Sequence, residues 1–139
     1  MKKPAFCLIC FLALIFIIGC DPGGASVIEI VNNSTYDLHI NFIPRGHYSP
    51  NNDKNEFALN KNETKSLRLT SMGGYPEPHE TFEKLIFMDL TSGEIIREID
   101  VDKTGVFELI RVDRKKRGFT YHRTAYFKYE INNNLLERN

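Results

Sequence analysis

The chain has 139 residues, of which 42% are hydrophobic and 26% charged, and its 18 basic residues balance its 18 acidic ones. These values are typical of a single globular domain and exclude the class of disordered chains. A near-neutral balance also argues against a nucleic-acid-binding protein, because such a protein needs a basic face to neutralise phosphates. The sequence therefore predicts one folded domain without nucleic acid as a partner.

Residues 1–19 have the pattern of a secretory signal peptide. Lys2 and Lys3 give a positive start, and an uncharged, almost wholly apolar run follows from Ala5 to Gly19. At about 1.5 Å per residue this run spans only about 22 Å as a helix, which is short of the roughly 30 Å of a bilayer core. The pattern therefore favours a signal that is removed over a retained transmembrane helix.

The apolar run ends in a motif of four residues: Ile17, Ile18, Gly19 and Cys20. This motif resembles the bacterial lipobox, in which an aliphatic residue, a second small or aliphatic residue and a Gly or Ala precede a Cys. The resemblance implies that Cys20 receives a diacylglycerol thioether and that a lipoprotein signal peptidase cuts after Gly19. The alternative is an ordinary secretory signal, but the bulky Ile17 fits poorly with the small-x-small site of such signals.

Residues 20–25 are expected to form the lipidated Cys and a short tether, because the segment after Cys20 is rich in Gly and Pro. Asp21 resembles the signal that retains enterobacterial lipoproteins in the inner membrane. Other bacterial groups sort differently, so the sequence predicts a lipid-anchored cell-envelope protein and leaves inner and outer membrane open. Since all three cysteines lie in or at the end of the signal, no disulfide is expected in the domain.

From Ser26 onward the apolar residues recur at every second position, which predicts strands rather than helices. The first two runs, Val27–Val31 and Tyr36–Phe42, are separated by turn formers at residues 32–35, so a hairpin is expected. Alternation within the second run predicts four core side chains: Tyr36, Leu38, Ile40 and Phe42.

Two irregular segments follow, Ile43–Asn55 and Ser71–Glu80, with a short strand near Phe57–Leu59 and another over Thr64–Thr70 between them. Loops of that length in a compact domain are either functional or poorly ordered. Their tyrosines and a histidine are the candidates for a binding loop: Tyr48, Tyr75 and His79.

The second half contains four regular runs separated by short turns, at residues 84–90, 95–101, 106–112 and 119–131, which predict a meander of four antiparallel strands. With the first-half strands they make about eight. The predicted fold class is therefore all-β, an antiparallel β-sandwich over residues 26–131 that is immunoglobulin-like or, alternatively, a small barrel. The segment VIEIVNNSTYDLHINF also resembles the start of small immunoglobulin-like sandwich lipoproteins. Residues 132–139 are expected to be a frayed tail.

The sharpest surface feature is a run of four basic residues, expected to lie in a hairpin loop: Arg114, Lys115, Lys116 and Arg117. Such a loop is suited to contact anionic lipid headgroups or a polyanionic envelope polymer. The alternative is a charged hairpin tip that protects a sheet edge from aggregation. The last run then places four aromatic residues on one face, a pattern typical of a sandwich core: Phe119, Tyr121, Phe127 and Tyr129.

Few residues suit catalysis. The four histidines are scattered with no pair at metal-ligand spacing, so neither a metal site nor a cofactor is expected. The chain also lacks the Gly-x-Ser-x-Gly elbow that exposes a nucleophilic serine. The sequence therefore favours a non-enzyme over an envelope hydrolase.

These observations predict a lipid-anchored envelope protein whose sandwich is a non-catalytic interaction or structural module. Its expected partners are the membrane, through the acyl chains on Cys20, and an unidentified envelope protein or glycan. A glycan- or small-molecule-binding lipoprotein is the alternative hypothesis, and an envelope hydrolase is the third.

Overall fold

The computed structural model describes residues 23–46, 55–102, 105–118 and 120–137. Within these ranges eight strands form two sheets of four, and two short helices accompany them. In chain order the elements are β1 (Gly24–Asn32), β2 (Leu38–Pro44), β3 (Glu56–Leu59), β4 (Thr64–Ser71), α1 (Pro78–Thr81), β5 (Phe82–Asp89), β6 (Ile95–Asp100), β7 (Glu108–Arg117), β8 (Thr120–Ile131) and α2 (Asn133–Glu137).

The strand order is β4-β1-β8-β7 in the first sheet and β3-β2-β5-β6 in the second. All neighbouring strands run antiparallel except β1 and β8, which pair in parallel from Gly24 opposite Arg123 to Asn32 opposite Ile131. β1 and β8 are the first and the last of the described strands and no turn joins them, so the chain connections do not impose an antiparallel pairing. The predicted all-β sandwich of about eight strands is confirmed, with one sheet mixed rather than purely antiparallel.

The expected hairpin between the first two strands is wrong, because β1 and β2 lie in different sheets. The buried side chain of Asn32 explains the crossing. Its amide nitrogen donates to the carbonyl oxygens of Tyr36 at 2.8 Å and of Leu59 at 3.1 Å, and its amide oxygen accepts from the backbone N–H of Ser34 at 3.0 Å. These hydrogen bonds hold residues 32–36 as a corner that leads from the first sheet to the second, where a hairpin turn was expected.

The expected four-strand meander in the second half is also wrong in its connection. β5 pairs with β6 in the second sheet and β7 pairs with β8 in the first, so the chain crosses between β6 and β7. Val101 directly follows β6 with a buried side chain, and its N–H donates to the carbonyl oxygen of Glu83 at 2.8 Å. Alternation predicts strands correctly, but it carries no information about which sheet each strand joins.

The core fills the space between the two sheets. Within β2, Leu38, Ile40 and Phe42 are fully buried, as the alternation predicts, while Tyr36 precedes the strand and is half-buried. Phe87 of the second sheet stacks on Tyr129 of the first with ring centroids 6.2 Å apart, so aromatic packing joins the sheets. Burying each such side chain stabilises the folded domain by roughly 1.5–3 kcal/mol.

The last described residues do not form the expected frayed tail. Residues 133–137 form α2, and Leu136 on this helix is buried with only 4% of its surface exposed. The N–H groups of Leu135 and Leu136 both donate to the carbonyl oxygen of Asn132, which starts the turn. A single buried leucine therefore ties this segment to the core.

Candidate functional site

Four strand ends of the first sheet meet at one end of the sandwich, which we call the Gly24 end. β1 begins there at Gly24, which lies opposite Ser71, the last residue of β4, and opposite Arg123 near the start of β8. Arg123 in turn lies opposite Arg114 of β7. The point where the chain enters the fold and the basic segment singled out by the sequence therefore lie side by side.

The basic run does not form a loop, contrary to expectation. β7 continues through Arg117 and pairs with β8 as far as Thr120, so Arg114, Lys115 and Lys116 lie within a strand. The turn is tight, with Gly118 at a φ of 61°, a backbone conformation that glycine adopts readily. We call residues 111–117 and 120–126 the basic hairpin. The side chain of Arg117 lies outside the described part of the structure.

The hairpin extends past the rest of the sheet. Thr120 comes three residues before Arg123, the partner of Gly24, so β8 begins about 10 Å beyond the start of β1 at about 3.3 Å per residue. This extension explains the aromatic stripe of β8. Phe127 and Tyr129 are buried in the core, whereas Tyr121 lies on the same face beyond the core and is 54% exposed.

The charges of the hairpin are largely unneutralised. Arg111 lies 3.6 Å from Asp113 and stacks over the ring of Tyr126 at 4.3 Å from its centroid. Arg114 and Arg123, by contrast, have no ion-pair partner among the described residues and are exposed. Two arginines at directly opposed positions repel one another, so this arrangement favours an anion between or above them.

A cleft of about 280 Å³ opens on the outer face of the first sheet at the same end. Gly24 and Ala25 lie between its two walls, and basic side chains line it from both sides: Arg68 from β4, and Lys115 and His122 from the hairpin. Guanidinium and ammonium groups are the donors that bind phosphate and carboxylate groups. The geometry is therefore that of an anion-binding surface.

Arg68 and His122 were not among the site residues predicted from the sequence. Arg68 is one exposed residue of an alternating strand, and His122 one of four scattered histidines, so neither has a local signal of function. Only the pairing of β4, β1 and β8 brings them to one cleft. A basic residue close to the end of a predicted strand is the single hint that the sequence provides.

Charge is segregated along the first sheet. β8 has one acidic residue, Glu130, which lies at the end opposite Gly24, and Glu29 and Glu108 both lie opposite Lys128 in that same half. Lys128 Nζ is 2.5 Å from Glu130 Oε1, and this hydrogen bond raises the pKa of the lysine. Positive charge in the far half is thus neutralised, whereas that at the Gly24 end is not.

The predicted binding loop over Ser71–Glu80 packs against the fold at Gly74 and Pro76, whereas Met72 in the same segment is exposed. The Ser26 hydroxyl donates to the carbonyl oxygen of Pro76, and Gly24 packs directly on the backbone of Gly74. Tyr75 is half-buried, with its ring 6.5 Å from that of Phe127. Its side chain therefore belongs to the edge of the core.

His79 lies in α1, on the second-sheet side of the Gly24 end. Its Nδ1 is 3.2 Å from Glu77 Oε2, and its carbonyl oxygen accepts a hydrogen bond from Arg45 Nε at 3.1 Å. A cleft of about 180 Å³ is lined by Glu77, His79 and Asp102, among others. Within the described ranges, no group of three or more His, Cys, Asp and Glu side chains is arranged to hold a metal ion.

Several predicted site residues lie outside the described residues. They are Ile17, Ile18, Gly19 and Cys20 of the motif before the domain, and Tyr48 between β2 and β3. The structure thus brings Arg114, Lys115 and Lys116 close to the start of β1. Tyr75 packs on Phe127 at the edge of the core, and His79 lies in α1, just before β5 of the second sheet.

Comparison with known proteins adds no relative. No protein-family model, curated protein or solved structure matches the chain. None of the helices in the described segments combines the length and apolar character needed to cross a membrane. The class of protein is therefore defined by its own fold and surface, an eight-stranded β-sandwich with a basic end.

Proposed function

We propose that the chain is a lipid-anchored protein of the bacterial cell envelope, whose sandwich serves as a non-catalytic interaction or structural module. The observation that carries this proposal is the position of the Ile17-Ile18-Gly19-Cys20 motif relative to the fold. β1 begins at Gly24, four residues after Cys20, and all eight strands follow it. A cysteine to be acylated, a short connection and then a folded domain are the parts that a lipoprotein needs.

Anchoring through Cys20 has a defined physical strength. Each methylene group buried in a bilayer contributes about 0.8 kcal/mol, and stable attachment requires more than one acyl chain. A diacylglycerol on Cys20 supplies two. The domain then stays at its membrane, and the second partner is an envelope protein or glycan within its reach.

The arrangement of the other candidate residues favours an interaction role over the two alternatives. Tyr75 packs against Phe127 and so is not free to stack on a sugar, which disfavours the glycan-binding hypothesis. The Ser71 hydroxyl donates to the carbonyl oxygen of Gly74 at 2.6 Å, so it is engaged with the backbone rather than with a histidine. This contact disfavours a hydrolase built on that serine.

Replacement of Cys20 tests the anchor. Cells that express Cys20→Ser and are fed labelled fatty acid should yield an unlabelled chain that keeps residues 1–19 and migrates as a larger precursor. Cys10→Ser is the matched control, because it removes a cysteine from the apolar run and should leave labelling and processing intact. Unchanged labelling and size of the Cys20→Ser chain would refute the proposal. Crosslinking in intact envelopes then identifies the second partner.

A further inference from the structure

We infer that the Gly24 end of the first sheet is a docking surface for anionic lipid headgroups in the membrane that holds the chain. The surface consists of the basic hairpin together with Arg68 and the two exposed side chains Met72 and Tyr121. This inference deepens the proposed function and rests on it, because it takes Cys20 as the anchored residue.

The length of the connection places this surface at the membrane. Gly24 is four positions after Cys20, and even a fully extended chain spans at most about 14 Å over that distance. The hairpin reaches about 10 Å past Gly24 at the same end of the sheet. Its tip therefore reaches within a few ångströms of the level of the anchored residue, which is inside the screening length of about 8 Å at physiological salt.

The charge of the surface matches such a membrane. Near the start of the fold, β1 and β4 contribute Arg68 and no acidic residue from Gly24 to Ile28 and from Arg68 to Ser71. The described hairpin residues add Arg111, Arg114, Lys115, Lys116 and Arg123 against the single acidic Asp113. Basic residues this close to an anionic leaflet are attracted to it.

The apolar residues at this end also suit an interface between lipid and water. Met72 directly follows β4 and is 87% exposed, and Tyr121 in the hairpin is 54% exposed. An exposed tyrosine places its ring among acyl chains and its hydroxyl among headgroups, which is the position that aromatic residues favour at bilayer surfaces. Exposed methionine contributes flexible apolar surface there.

The acidic residues at the same end set the tilt of the domain. Glu77, Glu80 and Asp102 all belong to the side of the second sheet. A negative leaflet repels these residues. The domain therefore tilts so that the Gly24 end of the first sheet lies nearer the lipid than the same end of the second sheet. The opposite end, with the turns at Asn60–Glu63 and Leu90–Glu94, then points into the envelope and is open to partners.

A probe on the anchored chain tests this orientation. The whole chain is expressed and processed in bacteria, purified with its acyl chains and reconstituted into vesicles of phosphatidylcholine alone or mixed with phosphatidylglycerol. An environment-sensitive fluorophore is attached at Thr120→Cys in the hairpin, or at Glu94→Cys at the opposite end as control. The hairpin probe should shift to shorter wavelength and lose several-fold of its quenching by a water-soluble quencher on the mixed vesicles only, and 1 M salt should reverse both changes.

Charge removal supplies the second arm. The triple variant Arg114→Gln, Lys115→Gln and Arg123→Gln should abolish the difference between the two vesicle types at Thr120→Cys. Its matched control removes the same charge elsewhere, through Lys61→Gln, Lys65→Gln and Lys128→Gln, and should keep the difference. Equal quenching on both vesicle types, or equal effects of the two triple variants, would overturn the docking surface. Failure of the anchor itself is seen separately, as a chain that carries no fatty-acid label.

Discussion

Arg114 lies directly across from Arg123 in the β7–β8 pair, so two arginine side chains share one face of the sheet on adjacent strands. Like charges at opposed positions destabilise an antiparallel pair by roughly 0.2–1 kcal/mol. This pair therefore does not contribute to the stability of the sheet. We therefore expect that the domain sacrifices some stability for a concentrated positive charge beside the start of β1.

Arg114→Gln should raise the free energy of unfolding by up to about 1 kcal/mol at low salt, because it removes the repulsion from Arg123. The gain should shrink in 1 M salt, where the screening length falls to about 3 Å. Urea unfolding at both salt concentrations measures the effect. Lys116→Gln is the control, since Lys116 lies on the same face but opposite Tyr121. Equal gains in the two variants, or a gain insensitive to salt, would contradict the explanation.

Asn32 holds the corner where the chain passes from the first sheet to the second. Its side chain is fully buried and forms four hydrogen bonds, two donated to carbonyl oxygens of Tyr36 and Leu59 and two accepted from Ser34. Removing the amide leaves these buried groups without partners, and each such loss costs about 1–3 kcal/mol before the surroundings relax.

Asn32→Ala should accordingly lower the free energy of unfolding by about 2–4 kcal/mol, as measured by denaturant titration. The neighbouring Asn33 is exposed, and its backbone N–H, which donates to Ile131, survives substitution. Asn33→Ala should therefore change stability by no more than about 0.5 kcal/mol. Similar losses in the two variants would show that the corner is held by the backbone and not by the Asn32 amide.

Alternation predicts the buried residues of β2 and, in β8, Phe127 and Tyr129 correctly, because side-chain direction in a strand is a local property. It does not show where the core ends, since Tyr121 on the same face of β8 is exposed. It failed at Asn32 and at Val101, where the chain changes sheet. Both positions look like ordinary strand ends in the sequence. The Asn32 corner depends on a hydrogen bond to Leu59, which lies far along the chain, while Val101 is still bonded to Glu83 beside β5 just before the chain crosses.

Some residues of the candidate site were predicted from the sequence and others were not. Arg114, Lys115 and Lys116 were predicted, because four consecutive basic residues are visible without a fold. Arg68 was not, because its proximity to them depends on β1 pairing with β4 on one side and with β8 on the other. A parallel pair between the first and last described strands has no connecting turn, so no turn motif in the sequence predicts it.

At Gly24 the backbone of β1 lies directly against the Ser71–Glu80 segment. A methyl group built on Gly24 would overlap the carbonyl group of Gly74, whereas one built on Gly23 would make an ordinary contact of 3.4 Å with the ring of His122. Gly24→Ala should therefore lower the free energy of unfolding by about 1–3 kcal/mol, the usual cost of overpacking. Gly23→Ala should be close to neutral. Thermal unfolding of the two variants distinguishes them, and equal stability would mean that the segment moves aside freely.

Burial of the Tyr129 hydroxyl should make the stability of the domain depend on pH in alkaline solution. Its ring packs between Phe87 and Phe107, with centroids 6.2 and 5.2 Å away, and only 7% of the residue is exposed. Burial raises the pKa of its hydroxyl well above the ordinary value, and the positive charge of Arg97 opposes this shift only in part. The folded state thus holds this proton more tightly than the unfolded state does.

The sign of the pH dependence follows from that difference. The stability linked to Tyr129 is fully present below about pH 10, where the hydroxyl is protonated in both states, and it is lost as the pH rises further toward the raised pKa of the folded state. Tyr129→Phe keeps the ring contacts but has no proton to lose. Its thermal midpoint should fall less steeply than that of the wild type above pH 10, whereas Tyr121→Phe, which removes an exposed tyrosine, should follow the wild type. Parallel curves for wild type and Tyr129→Phe would contradict a buried Tyr129 hydroxyl.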